Sequence, residues 1–241
     1  MGEGRLTGTA DDSAVQAVAA RALALIEDGA QVGLGSGRAA TAFVRRLADR
    51  VRAGLHVAGV PTSDATERLA RDLGIPLIGL DEGVELDLTV DGADEVAPNL
   101  DLVKGWGGAL VRERIVAAAS RRQVILVGSE KLVAALGQRG RIPLELIPLA
   151  RGPVMPRLRA LGLRPEVRTH SGGTQPVISD NGNLLIDCVP SSVLRDAHAA
   201  RALDAALRAI PGVVDTGLFL GTAERVLVGY PDGRVEVLGG R

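Results

Sequence analysis

Cysteine is nearly absent from this chain of 241 residues: Cys188 stands alone. A single thiol excludes an internal disulfide and makes a reducing cytosol the simplest address. Also missing is any apolar run long enough to cross a bilayer. Met1 to Asp12 is small and polar, without the apolar stretch of a signal peptide. Gly2 is followed by Glu3, Gly4, Arg5 and Leu6, which lack the hydroxyl of a myristoylation match. Neither sign of charge is in excess: the formal net charge is -1, so no general affinity for nucleic acid or anionic membrane is expected. Nor is there an appended helix-turn-helix or basic patch. His56, His170 and His198 are scattered without ligand spacing such as HxxxH, and no metal is expected. Lysine is the scarcest charged residue. Of 28 basic residues only Lys104 and Lys131 are lysine, and the rest are arginine. Where a chain so biased keeps an ammonium, a compact point charge is one explanation, and leftover surface residues are the other.

Hydrophobic residues make up 46% of the chain, enough for a globular protein with one large domain or two smaller ones. Asp11, Asp12 and Ser13 are N-cap candidates for a helix carrying Val15, Val18, Ala19, Ala22, Leu25 and Ile26 at helical spacing, with Gly29 as its stop. A strand is expected at Ala30–Leu34, a Gly35-Ser36-Gly37 turn, then a helix from about Ala39 to Arg52. Strands follow at Leu55–Val60, Pro76–Gly79 and Leu86–Val90. A capping box at Asp64–Glu67 opens a helix to Asp72. Helix Gly108–Ser120 and strand Gln123–Val127 complete an alternating pattern that reads as a parallel α/β sheet. Near Gly140 the pattern changes. Strands at Pro143–Ile147, Glu166–Thr169, Leu184–Val189 and Val213–Thr216, with helices at Pro153–Leu161 and Asp196–Ala209, give the β-α-β-β-α-β order of a ferredoxin-like unit. Asp180-Asn181-Gly182-Asn183 is a turn signal, and Arg225–Leu238 reads as a hairpin returning to the first domain. The expectation is an α/β fold: a Rossmann-like parallel-sheet domain (1–139 plus 218–241) and a smaller ferredoxin-like α+β domain (140–217).

Open α/β sheets take ligands beyond the carboxyl ends of their strands, and three loops leave such ends. Gly35-Ser36-Gly37-Arg38 precedes a helix whose first amides suit a phosphate, although a tight turn without ligand fits equally well. It matches neither the dinucleotide fingerprint nor the Walker A spacing. Asp91-Gly92-Ala93-Asp94-Glu95 brings two carboxylates close together, which can raise one pKa and make a proton carrier; turn-making is the ordinary alternative. Lys104-Gly105-Trp106-Gly107-Gly108 leads into a helix bearing Glu113 between Arg112 and Arg114, where a lone Glu is most simply a solvated partner of its neighbours.

The run Asp87-Leu-Thr-Val-Asp91-Gly-Ala-Asp94-Glu-Val-Ala-Pro-Asn-Leu-Asp-Leu-Val-Lys104-Gly-Trp-Gly-Gly-Ala-Leu-Val-Arg-Glu113 closely resembles the core of type A ribose-5-phosphate isomerase. The resemblance extends to Thr62-Ser63, Ser129–Val133, Pro143–Pro148, Asp180–Asn183 and Ile210–Phe219, nearly the whole chain in the same order. It implies a metal-independent aldose-ketose isomerase of the pentose phosphate pathway: cytoplasmic, without cofactor, a homodimer or homotetramer whose partner is a small sugar phosphate. Glu113 would be the general base, with Asp91, Asp94 and Lys104 around the reacting end of the sugar. Ser36, Gly37, Arg38, Ala39, Gly92, Ala93, Gly105, Trp106, Gly107 and Lys131 would bind substrate.

Departures from the family pattern cluster in the substrate loops. Gly-Thr-Gly-Ser-Thr of the family is Gly35-Ser36-Gly37-Arg38-Ala39 here, which removes two hydroxyls and adds a guanidinium. Lys-Gly-Gly-Gly is Lys104-Gly105-Trp106-Gly107, and Gly128 stands where an acid is common. Arg38 binding phosphate explains the first change; a pocket retuned to another sugar is the alternative. A third reading is a sugar-phosphate sensor without catalysis, which would have no need of the base.

Overall fold

The computed structural model of the protein describes residues 7–81, 83–171 and 173–240, with side chains from residue 12 onward. Met1–Leu6, where the sequence offers neither signal peptide nor myristoylation match, lies outside the described residues. In chain order the elements are α1 (Thr7–Leu23), β1 (Ala30–Leu34), α2 (Arg38–Arg52), β2 (Val57–Pro61), α3 (Asp64–Asp72), β3 (Leu88–Gly92), β4 (Glu95–Val96) and β5 (Leu102–Val103). They continue as α4 (Leu110–Ala118), β6 (Gln123–Gly128), β7 (Ile142–Leu146), α5 (Arg151–Ala160), β8 (Leu163–Val167), β9 (Leu184–Pro190), α6 (Ala197–Arg208), β10 (Val213–Thr216), β11 (Leu218–Phe219), β12 (Arg225–Gly229) and β13 (Val235–Gly239). Two units result. The first comprises Met1–Ala93, Ile115–Lys131 and Thr222–Arg241, and the second Asp94–Arg114 and Leu132–Gly221.

The first unit is built on a six-stranded sheet of order β13-β12-β6-β3-β1-β2. It is parallel throughout, except that β13 returns antiparallel on β12. The chain leaves β1 through α2 toward β2, and leaves β3 toward β6 on the other side. The strand order therefore reverses between β1 and β3, the point at which open α/β sheets hold ligands. Strand alternation divides the residues there. Val32 and Leu34 of β1 and Leu88 and Val90 of β3 join the core with Phe43, Val44 and Leu47 of α2. Thr89 and Asp91 point to the opposite face, where a Cβ on Gly33 would lie 2.7 Å from Val116 Cγ1. Gly37 caps α2 at φ 88°, a conformation that only glycine adopts without strain. Ala40, Phe43, Val44 and Leu47 then bury one helical face, at the i, i+3, i+4, i+7 spacing.

The second unit holds β7-α5-β8-β9-α6-β10 as a sheet of order β10-β7-β9-β8, antiparallel at every pair. This is the ferredoxin-like arrangement expected. A small sheet of order β11-β5-β4 belongs to the same unit. Asp196 caps α6 by accepting from Ala199 N at 2.8 Å, worth about 1 kcal/mol.

The structure departs from the sequence reading in several places. Residues 94–114 and 132–139 cluster with the second unit, not with 1–93, and 218–221 follow them. The cause is apolar: Ala97, Val103, Val133, Leu136 and Leu218 share a core with Ile142, Leu144, Ile186 and Leu207, and β11 pairs with β5. Helix α1 already runs from Thr7, so Asp12 and Ser13 lie inside it. The cap of α3 is Ser63, one residue before the expected box, with its Oγ accepting from Thr66 N at 3.1 Å. Pro76–Gly79 forms one bridge, Gly59 to Leu77, and no strand; Pro76 has no N–H for a ladder.

Cys188 on β9 is wholly buried in the second core, and burial pushes its thiol well above the ordinary range. Only thiolate reacts. Ellman's reagent at pH 8 is therefore expected to modify no thiol in the native protein and one in urea. Fast modification without denaturant would contradict this packing.

Candidate active site

In the first unit the loop after β1 meets the end of β3. Asp91 is fully buried. Its Oδ1 accepts from Ser36 N at 2.9 Å and from Gly92 N at 2.8 Å. That arrangement needs Gly35, because a Cβ there would come within 2.3 Å of Asp91 Oδ1 and 2.4 Å of its Cα. The hydroxyl of Ser36 lies 2.8 Å from Thr62 Oγ1, and donates to Ser63 Oγ at 2.8 Å. Thr66 completes the cluster: its Oγ1 accepts from Ser63 Oγ at 3.0 Å and donates to Gly35 O at 3.0 Å. Four hydroxyls thus fix the backbone of the 35–37 turn, and α2 starts directly after it. No side chain caps α2, so its first amides and its positive dipole end suit an anion. Arg38 opens the helix and pairs with Asp12 at 3.9 Å, with 54% of its side chain exposed. Such a pair contributes little. Lys131 closes a 3-10 turn, Ser129–Lys131, after β6.

In the second unit Lys104 follows β5. Its Nζ lies 3.3 Å from Glu113 Oε1 on α4, and the two residues are only 1% and 6% exposed. Taking an ammonium and a carboxylate out of water costs several kcal/mol per ion, and apolar residues of similar volume are often at least as stable. The pair is therefore poor evidence of a structural role and good evidence of a chemical one. Phe219 lies with its ring centroid 5.5 Å from Lys104 Nζ and 3.9 Å from Arg114 Cζ, placed there by the β5–β11 register. The main chain is held too: Lys104 N donates to Gly217 O at 2.9 Å.

Asp94 accepts through Oδ2 from Trp106 N at 2.9 Å, so its carboxylate shapes the 104–107 loop. Gly105 turns that loop at φ 95°. Arg168 braces it by donating to Gly105 O at 3.2 Å and Trp106 O at 3.0 Å, while its other nitrogens hold Asp187. The indole of Trp106 packs against the second core. Its Nε1 donates to Arg141 O at 3.3 Å, and the Arg141 guanidinium lies 4.4 Å over the ring. Next door, Glu95 is buried and accepts from Gly137 N and Arg139 N, both at 2.6 Å; burial still raises its carboxyl above the usual range.

The structure thus joins Ser36, Gly92 and Asp91 in one group, and Lys104 and Glu113 in another, and ties Asp94 to Trp106. Sequence reasoning did not single out Thr66, Phe219 or Arg168. Thr66 is found only when α3 is docked beside β1, and nothing in the sequence marks Arg168. Phe219 has a signal, being one of two phenylalanines in the chain. Among the described residues no three of His, Cys, Asp or Glu are grouped as a metal would require, and no helix is long and apolar enough to cross a membrane.

Fold and site define an α/β enzyme in which a buried carboxylate and an ammonium are paired beside a glycine-rich loop. Comparison with known proteins specifies it: the chain belongs to the ribose 5-phosphate isomerase A (phosphoriboisomerase A) family, whose model matches residues 58–233. It is 47% identical over 222 residues to ribose-5-phosphate isomerase A of Roseiflexus castenholzii, covering 91% of this chain and 92% of that one. A solved D-ribose-5-phosphate isomerase in complex with phospho-erythronic acid is 36% identical with a TM-score of 0.89, covering 95% of this chain and 98% of that one. The enzyme from Methanocaldococcus jannaschii is 39% identical with a TM-score of 0.88, over 95% and 99%.

The hydroxyl cluster generates a prediction about stability. Ser63→Ala removes the α3 cap and one partner of Ser36, and is expected to cost about 1–2 kcal/mol, read as a lower urea midpoint at unchanged m-value. An unchanged midpoint would show the cluster to be energetically idle.

Proposed function

We propose that the protein interconverts ribose 5-phosphate and ribulose 5-phosphate through an enediolate, with Glu113 as the base. The observation that carries this is the buried Lys104–Glu113 pair. In the open-chain aldose, Glu113 takes the proton from C2. The C2–H electron pair becomes the C1–C2 double bond, and the carbonyl electrons move onto O1. The Lys104 ammonium stabilises that developing oxyanion, a contribution on the order of 2.7–4 kcal/mol by analogy with oxyanion-hole donors. A proton passes from O2 to O1, and Asp91 or Asp94 is the group we assign to it. Glu113, now protonated, returns its proton to C1 and leaves the ketose. No atom is gained or lost, so the reaction needs no oxidant and no second substrate.

The phosphate end is assigned to the start of α2. Arg38, at the start of α2 and in a long exposed pair with Asp12, offers a guanidinium in place of the two hydroxyls that the family loop carries. A phosphate dianion is a stronger partner for it than one solvated carboxylate. Gly92, Ala93, Gly105, Gly107, Ala39 and Lys131 keep the substrate-contact roles that the family resemblance gives them. A shift to another sugar would draw on Trp106, but the engagement of that ring with Arg141 favours a role inside its own unit. The same resemblance supports a homodimer or homotetramer in the cytosol.

Glu113→Gln is expected to lower kcat by at least about 10²–10⁴-fold, the usual worth of a general base, while ribose 5-phosphate still binds. Solvent deuterium should enter at C2 or C1 during turnover by the wild type and not by this variant, as followed by NMR. Unchanged turnover removes Glu113 from its role, and no turnover by the wild type leaves the sensor reading. Arg38→Ala is expected to raise KM about 10-fold or more with kcat little changed, because charged hydrogen bonds contribute about 1.5–3 kcal/mol and this one acts on ground state and transition state alike. An unaltered KM would place the phosphate elsewhere.

A further inference from the structure

Strand β7 carries one carboxylate in an otherwise apolar run, and Glu145 is wholly buried. Its Oε1 accepts from Asn181 Nδ2 at 3.0 Å and from Asn183 Nδ2 at 2.8 Å, and its Oε2 is buried without a hydrogen-bond partner among the described residues. A leucine here would avoid burying a polar group at the heart of a sheet. The turn that Glu145 grips does not need it for closure. Ser179 N donates to Asn183 O at 2.8 Å and Gly182 N to Ser179 O at 2.9 Å, while Ser179 Oγ accepts from Asn181 N and Asn183 N at 3.3 Å.

What the carboxylate supplies is direction. Asn181 uses both ends of its amide: Nδ2 faces Glu145, and Oδ1 accepts from Arg112 Nε at 3.0 Å. A carboxylate that is charged can only accept and a guanidinium can only donate, so the amide has one orientation that satisfies both. Arg112 is further held by donating to Asp180 O at 2.8 Å. Arg112 immediately precedes Glu113 on α4. On the other side of Glu113, Arg114 donates to Asp215, to Thr216 O at 2.8 Å and to Leu218 O at 2.9 Å. Two guanidinium ties therefore flank the base, and one of them ends on Glu145.

We propose that Glu145 is a positioning residue for Glu113, acting through Asn181 and Arg112 and touching no substrate; this rests on Glu113 being the base. Loss of the acceptor frees the Asn181 amide to turn, slackens the Arg112 tie and lets the first turns of α4 shift. Misplacement of a reacting group by about 1 Å costs roughly 10²-fold, so a partial slackening should lower kcat by about 10- to 100-fold with KM moving less than about 2-fold.

The test uses the full-length protein and ribose 5-phosphate, together with ribose 5-phosphate deuterated at C2. Glu145→Leu should show this kcat loss and a larger isotope effect on kcat, because proton transfer becomes more nearly rate-limiting. A merely smaller folded fraction would lower kcat and leave the isotope effect alone. Glu145→Gln, which keeps an acceptor oxygen, should recover most of the activity. Arg112→Ala should resemble Glu145→Leu, and the double variant should be no worse than the poorer single one, since both cut the same tie. If Glu145→Leu fails to fold, Asn181→Ala on the exposed turn cuts the tie with β7 intact, and enters the same cycle with Arg112→Ala. Wild-type kcat in Glu145→Leu or Asn181→Ala, an unchanged isotope effect, or additive losses with Arg112→Ala each overturn the proposal. Glu113→Gln in the same assay separates the two claims: if it is inactive while the Glu145 and Asn181 variants are normal, only the positioning role fails, and if it is active the base assignment itself fails.

Discussion

An ammonium and a carboxylate share a nearly dry site 3.3 Å apart, and neither could be buried there alone. Removing one partner of such a pair typically costs 3–5 kcal/mol, because the other is left uncompensated. The surrounding chain is arranged to tolerate both. The β5–β11 pairing brings the ring of Phe219 within cation–π reach of Lys104, and the same ring accepts Arg114. Gly217 is required where that strand passes, since a Cβ would stand 2.4 Å from Lys104 O. Charge that would destabilise an ordinary core is here held in place by backbone that only glycine permits and by a ring that costs no hydrogen bond.

The first unit solves a different problem, holding a buried carboxylate in a defined direction with backbone N–H groups. Asp91 receives two backbone N–H groups on one oxygen, and one of these comes from the turn that leads into α2. The turn is in turn fixed by hydroxyls from the chain after β2 and from α3. The reversal of strand order between β1 and β3 is what allows this, because it leaves the carboxyl ends of both strands uncovered by their own connections. The stability of the loop is thus drawn from short-range capping chemistry, and its openness from topology.

Much of this was legible in the sequence. The alternation of strands and helices, the β-α-β-β-α-β order and the three loops follow from periodicity and glycine placement alone. The unit boundary was not. β4, β5 and β11 are two residues each, too short to show a period, and residues 94–103 read as loop after a parallel strand. Only the shared core of Val103, Leu136 and Leu144 shows where they belong. Lys104 and Glu113 were joined in one site by the family resemblance and not by periodicity: nine positions apart, one follows a strand and the other lies on a helix, and their closeness depends on the turns at Gly105 and Gly108. Glu145 carried a faint signal as the single charge in Ile142–Leu146, whereas its partners thirty-odd residues on are found only in three dimensions.

The use of basic residues follows from the same geometry. Arg112, Arg114 and Arg168 each hold two or more acceptors, and Arg168 joins Asp187 to the backbone of the 104–107 loop. A planar fork with several donors does this at small entropic cost, and an ammonium does not. Lys104 has the opposite task. It is buried beside Glu113 and Phe219, and in the reaction proposed above its value lies in being a compact point charge. A chain that uses arginine almost everywhere else keeps lysine at this buried position, where a fork of five N–H donors would demand more acceptors. The near-absence of lysine thus fits two kinds of work, bracing by arginine and the charge stabilisation proposed for Lys104, assigned to two kinds of cation.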